Sequence, residues 1–118
     1  MVADRENGRL QRFNLKCELL GMVESHFRRP CSMYGHDGIL VVADLAGRIT
    51  LLDEDNGLIS QLGDNPDPKK RAQNGVPPDQ WQDGHFLSPH GACFDGEGNL
   101  YVLDWNRHGR VSKLERLR

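Results

Sequence analysis

The apolar residues of this 118-residue chain fall in short runs, broken at hairpin distance by Gly, Asn and Asp. Nowhere do they recur with the spacing of a helical stripe, so the pattern predicts short β-strands throughout. One phrase occurs three times: VADRENGRLQRF (Val2 to Phe13), VVADLAGRITLL (Val41 to Leu52) and YVLDWNRHGRVSKL (Tyr101 to Leu114). Each copy is an apolar strand closed by Asp, a short turn, Gly-Arg, and a second apolar strand. The repeat predicts one kind of hairpin made three times.

The repeated aspartates Asp4, Asp44 and Asp104 lie 40 and then 60 residues apart. A polar insertion from Asp64 to Leu87 nearly accounts for the longer interval, leaving a period of about 40 residues, the length of a four-stranded propeller blade. The expected fold is therefore all-β: part of a β-propeller, about two and a half four-stranded blades. The predicted organisation is a partial blade over 1–25, a complete blade over 26–63, the insertion loop over 64–87, and a final blade lacking its fourth strand over 88–118. In the first unit, Met1 to Asp4 is expected to end an inner strand, with Arg9 to Phe13 third and Lys16 to Met22 fourth. Strands of the complete blade are expected at Cys31 to Tyr34, Ile39 to Asp44, Arg48 to Asp53 and Leu58 to Leu62. The final blade should contain His90 to Phe94, Leu100 to Asp104 and Val111 to Leu117. A closed propeller needs at least four blades, so closure would call for upstream blades or head-to-tail association of copies.

Each framework Asp can accept N–H groups of the turn that follows it, with Gly permitting the turn and Arg9, Arg48 and Arg110 reaching back to the carboxylate. The Asp-to-Gly-Arg framework reads as a fold signature, so only departures from it can carry function.

Charge narrows the partners. The formal net charge is −2 with acids and bases interspersed, which argues against nucleic acid. The basic run Pro68-Lys69-Lys70-Arg71 reads as a solvated loop. No apolar run approaches the roughly 18 residues of a membrane span, so a soluble chain is expected. Met1 to Gly8 has no hydrophobic segment of the signal-peptide kind; a secreted or periplasmic setting would need such a signal upstream of Met1. Cys17, Cys31 and Cys93 fall in predicted strands, away from metal or redox spacings, and read as buried free thiols, with one cross-blade disulfide as the alternative.

Two residues depart from the framework where a propeller places its channel. Arg5 follows Asp4 where the other units have Leu45 and Trp105, and His90, in Ser88-Pro89-His90-Gly91, opens an inner strand where the complete blade has Ser32-Met33. Without other information Arg5 could pair with the acids of its own turn, and His90 could be a structural histidine. His26, His36 and His108 show no partner spacing and read as turn or surface residues. Trp81, in the insertion, reads as an anchor of that loop rather than a lid.

Around these residues the chain resembles a known family. Over nearly its whole length it is similar to NHL-repeat six-bladed propellers. More narrowly, VADRENGRLQRF and GHFLSPHGACFDGEGNLYVLDWNRHGRVSKL resemble two blades of the peptidyl-α-hydroxyglycine α-amidating lyase family. The resemblance implies a channel zinc held by three histidines from different blades, with a structural calcium nearby. It implies cleavage of a peptidyl-α-hydroxyglycine to a peptide amide and glyoxylate. His90 matches the last zinc histidine and Arg5 an active-site arginine. Ser88 replaces a family Met and Gly91 a family Asp, and the other zinc histidines and the active-site tyrosine have no counterpart downstream of Met1. The expected ligand is a small-molecule or peptide substrate. The alternative is a non-enzymatic NHL module that binds a ligand or protein.

Overall fold

The computed structural model describes all residues from Met1 to Arg118. Ten strands form three antiparallel sheets. The first sheet is β1 (Val2–Asp4), β2 (Arg9–Phe13) and β3 (Leu19–Val23). The second is β4 (Pro30–His36), β5 (Ile39–Asp44), β6 (Arg48–Leu52) and β7 (Leu58–Leu62). The third is β8 (Pro89–Phe94), β9 (Leu100–Asp104) and β10 (Arg110–Leu114). Single turns of 3-10 helix at Arg5–Asn7 and Pro78–Gln80 complete the regular structure.

Register makes the repeat explicit. Asp4 pairs with Arg9, Asp44 with Arg48 and Asp104 with Arg110. β1, β5 and β9 are thus equivalent, each a second strand, and this corrects the placement of Met1 to Asp4 in an inner strand. The first sheet has no counterpart of β4 or β8. The other boundary corrections are at turns. Lys16 and Cys17 precede β3, with Cys17 at φ 64°, and β10 stops at Leu114. Asp37 and Gly38 both take positive φ in the β4–β5 hairpin, the geometry that matches strand twist in a tight turn. In the β6–β7 turn Asn56 takes the left-handed conformation, while Asp53 Oδ1 accepts the Asp55 and Gly57 N–H groups.

Alternation puts apolar side chains on both faces of the second sheet, and each face meets a neighbour. Val42, Leu52, Leu40 and Met33 pack against Ala3, Leu10 and Val23 of the first sheet. Val41, Ala43, Ile49 and Leu51 pack on Leu100, Val102, Ala92 and Leu114 of the third. Leu10, Ile49 and Leu52 are fully buried, each stabilising the fold by about 1.5–3 kcal/mol. The inner strands β4 and β8 lie side by side, β4 also contacting β1, and Ser32 Oγ donates to the His90 carbonyl across the sheet boundary at 2.8 Å. The sheets form an open arc of blade-like units rather than a closed ring, and its two outer faces leave Val2, Met22, Leu103 and Val111 exposed.

The insertion is tied down along its length. Phe86 is fully buried between the second and third sheets. Asn65 Nδ2 donates to the Phe86 carbonyl at 2.9 Å. Trp81 donates its indole N–H to the Val76 carbonyl at 2.9 Å and lies under the Arg110 guanidinium, as an anchor does. Arg71 departs from the solvated-loop reading: its Nε donates to the Asn65 carbonyl at 2.8 Å. Asp64 gathers Arg28 at 2.7 Å, Arg71 at 3.6 Å and Arg48 at 3.9 Å. No helix is long and apolar enough to cross a membrane.

Candidate functional site

The framework aspartates shape one end of the arc. Asp44 Oδ2 accepts the Arg28 N–H at 2.7 Å and its Oδ1 the Arg29 N–H at 2.8 Å. Asp104 Oδ1 accepts the Leu87 and Ser88 N–H groups at 3.0 and 2.8 Å. These amides belong to the segment entering each inner strand, so the carboxylate pins that entry. The following turn, named by sequence reasoning as the partner, supplies only the Ala46 N–H at 3.1 Å among the amides bonded to Asp44. The framework arginines differ too. Arg9 reaches Asp4 at 2.8 Å, but Arg48 and Arg110 stand 3.8 Å from their aspartates and instead donate to the carbonyls of His26 and His85 at 2.9 and 2.8 Å.

That symmetry exposes a second repeat. His26-Phe27-Arg28-Arg29-Pro30-Cys31 superposes in role on His85-Phe86-Leu87-Ser88-Pro89-His90. His26 lies in a bend at φ 79°, as its reading as a turn residue has it, and is the repeat equivalent of His85. Pro30 pairs with Asp44 and Pro89 with Asp104, and in each strand the next residue is bulged out of register. A bulge re-aims the side chain it carries. The equivalent of His90 is thus Cys31, not Ser32 or Met33. The spacing of H-F-x-x-P was the sequence signal that could have found it.

Arg5, Cys31 and His90 line one shallow, solvent-open depression of about 340 Å³, completed by Ala3, Asp4 and Glu6. Each comes from a different sheet: Arg5 from the 3-10 turn after β1, Cys31 from the β4 bulge and His90 from the β8 bulge. Arg5 donates Nε to Glu6 at 2.9 Å. Its terminal nitrogens have no carboxylate partner. Arg29 also holds Glu6, at 2.9 Å, and the hydrogen bonds from Arg29 and then Arg5 keep the Glu6 carboxyl below its ordinary range. Asn7 and Arg9 do the same for Asp4. Burial pushes the Cys31 thiol up, opposed by the nearby Arg5 guanidinium, and the thiol points at the Arg29 carbonyl 3.6 Å away. His90 is exposed, with the Trp105 ring 6.5 Å from its own.

All three cysteines are free. Cys17 is exposed in a turn, which corrects its placement as a buried strand thiol; Cys31 and Cys93 are partly buried in strands.

These side chains do not by themselves fit a zinc or calcium ion. The chain contains no group of three or more His, Cys, Asp or Glu residues placed to hold a metal. The two carboxylates beside His90 are taken by arginines and Asn7, and the Arg5 cation next to Cys31 opposes a second positive charge there.

None of the curated proteins and none of the solved structures matches this chain. Residues 86–114 match the NHL repeat. That span runs from the buried Phe86, through the pinned entry and the His90 bulge, to the last residue of β10. The third sheet with its entry segment carries the match, and its architecture recurs in the second sheet from Phe27 to Leu52.

Proposed function

We propose that this chain is a sector of an NHL-type propeller and that the inner-strand end of the arc binds the carboxylate of a small molecule or peptide. The observation that carries this reading is the meeting of Arg5, Cys31 and His90 around one open depression, although the three lie far apart in sequence. Arg offers a planar pair of donors matched to a carboxylate. His90 adds a third donor through its ring N–H, and its exposure leaves it open to a ligand. The NHL match supports a propeller-type binding or lyase-like module.

The test is calorimetric titration with a short peptide ending in a free carboxylate and with its C-terminal amide. The carboxylate form should bind and the amide should not, with Arg5→Gln and His90→Ala each weakening binding by about tenfold, the loss of roughly one charge-assisted hydrogen bond. Equal binding of acid and amide would sink the reading.

The shared depression also supports a second reading, drawn from the amidating-lyase resemblance: cleavage of a peptidyl-α-hydroxyglycine to a peptide amide and glyoxylate, with Arg5 as the catalytic arginine and His90 as one zinc ligand. Zinc on His90 would need further ligands beyond these three sheets, and calcium would likewise need an oxygen-rich site outside them. Zinc content and glyoxylate release, compared between the wild type and His90→Ala, separate the two readings. Equal zinc in both proteins removes His90 as a ligand.

A further inference from the structure

The two outer faces of the arc repeat the two sides of an interface that the chain already makes twice. In register, Ala3 and Leu10 of the first sheet are equivalent to Ala43 and Ile49 of the second and to Leu103 and Val111 of the third. The first two pairs are covered, one by the second sheet and one by the third. The third pair is not: Leu103 is 46% exposed and Val111 66% exposed.

The opposite sides follow the same rule. Val42 and Val102 are fully buried, each as the receiving residue of a neighbour's face. Their equivalent in the first sheet, Val2, is 50% exposed, with Met22 beside it across β2 at 45%. One free face therefore has the donor pattern of this packing, and the other carries the receiving position of Val42 and Val102 without the inner strand that adds Met33 or Ala92 in the covered interfaces. A patch of this kind marks an interaction surface, and in repeat architectures each unit is stabilised by its neighbour's face.

We propose that the third sheet of one copy packs on the first sheet of a second copy, head to tail, with Leu103 and Val111 seated against Val2 and Met22. Such a contact is heterologous: two different patches meet, and each copy keeps its other patch free for the next. The proposal does not depend on what the Arg5 depression binds.

The experiment is sedimentation velocity on the full chain and on Val111→Asp and Met22→Asp, each substitution at an exposed position, with circular dichroism melts to show that both variants fold. The wild type should rise with concentration to at least about twice the 13.4 kDa monomer mass. Each variant alone should remain monomeric, since one of its two faces is blocked. An equimolar mixture of the variants should recover a twofold mass, because an intact face of one meets an intact complementary face of the other. A monomeric wild type overturns the proposal and assigns the faces to a different partner. Association that survives in either variant, or a mixture that stays monomeric, overturns it as well.

Discussion

Asp104 holds Ser88 by accepting its backbone N–H at 2.8 Å, through the same Oδ1 that accepts the Leu87 N–H. All three residues are buried, so the amides have no water to turn to. Replacing Asp104 with Ala should cost about 1–3 kcal/mol for each amide left without a partner. Asp104→Asn keeps an acceptor oxygen and should lose much less. Chemical denaturation of the two variants checks this; an Ala variant as stable as the Asn variant would refute the pinning role.

Carboxylates in this fold pull stability in opposite directions as pH changes. Asp64 is held below its ordinary range chiefly by the hydrogen bond from Arg28, and Asp95 by the Asn99 side chain. Their contribution is complete above the usual carboxylate range and is lost as pH falls through it toward the lowered folded values. Asp104 is raised by burial, against the pull of the Ser88 and Leu87 amides and Arg110. Its contribution is complete below the usual range and declines as pH rises through the raised folded value. Unfolding free energy should therefore fall on acidification, with Asp64→Asn flattening that fall and Asp104→Asn steepening it. Urea melts across the acid range measure both slopes.

At Gly63 the left-handed backbone (φ 62°) and the Phe86 ring make two demands that another residue cannot meet. A Cβ there would overlap the ring. Gly84 has a similar φ of 77° but open space around it. Gly63→Ala should lose about 1–3 kcal/mol from overpacking beyond the backbone cost that Gly84→Ala alone reports. Similar thermal midpoints for the two variants would contradict the seating of Phe86.

The thiols should label in a defined order. Cys17 is exposed, whereas Cys31 is partly buried with its thiol pushed up by that burial, and the thiolate is the reactive form. Mass spectrometry after brief maleimide treatment near neutral pH should find Cys17 modified before Cys31. Denaturation should erase the difference. Early labelling of Cys31 would mean that the Arg5 cation outweighs burial.

Strands, hairpins and the threefold framework were legible in the amino-acid order, because alternation with period two and the turn chemistry of Gly, Asn and Asp are local properties. Arg5 and His90 stood out for the same reason, as departures from a visible repeat. What the chain order left undecided was every relationship made at a distance. The turn after Asp44 was an available partner for its carboxylate, yet the tertiary structure delivers the Arg28 and Arg29 amides there because β4 must enter beside β5. Cys31 looked like an ordinary strand thiol until the bulge opposite Asp44 placed it in the position that His90 holds in the next sheet. Which sheet covers an apolar face, and which side chains line one depression, depends on how the sheets stack, and stacking is set by all the contacts of the arc together.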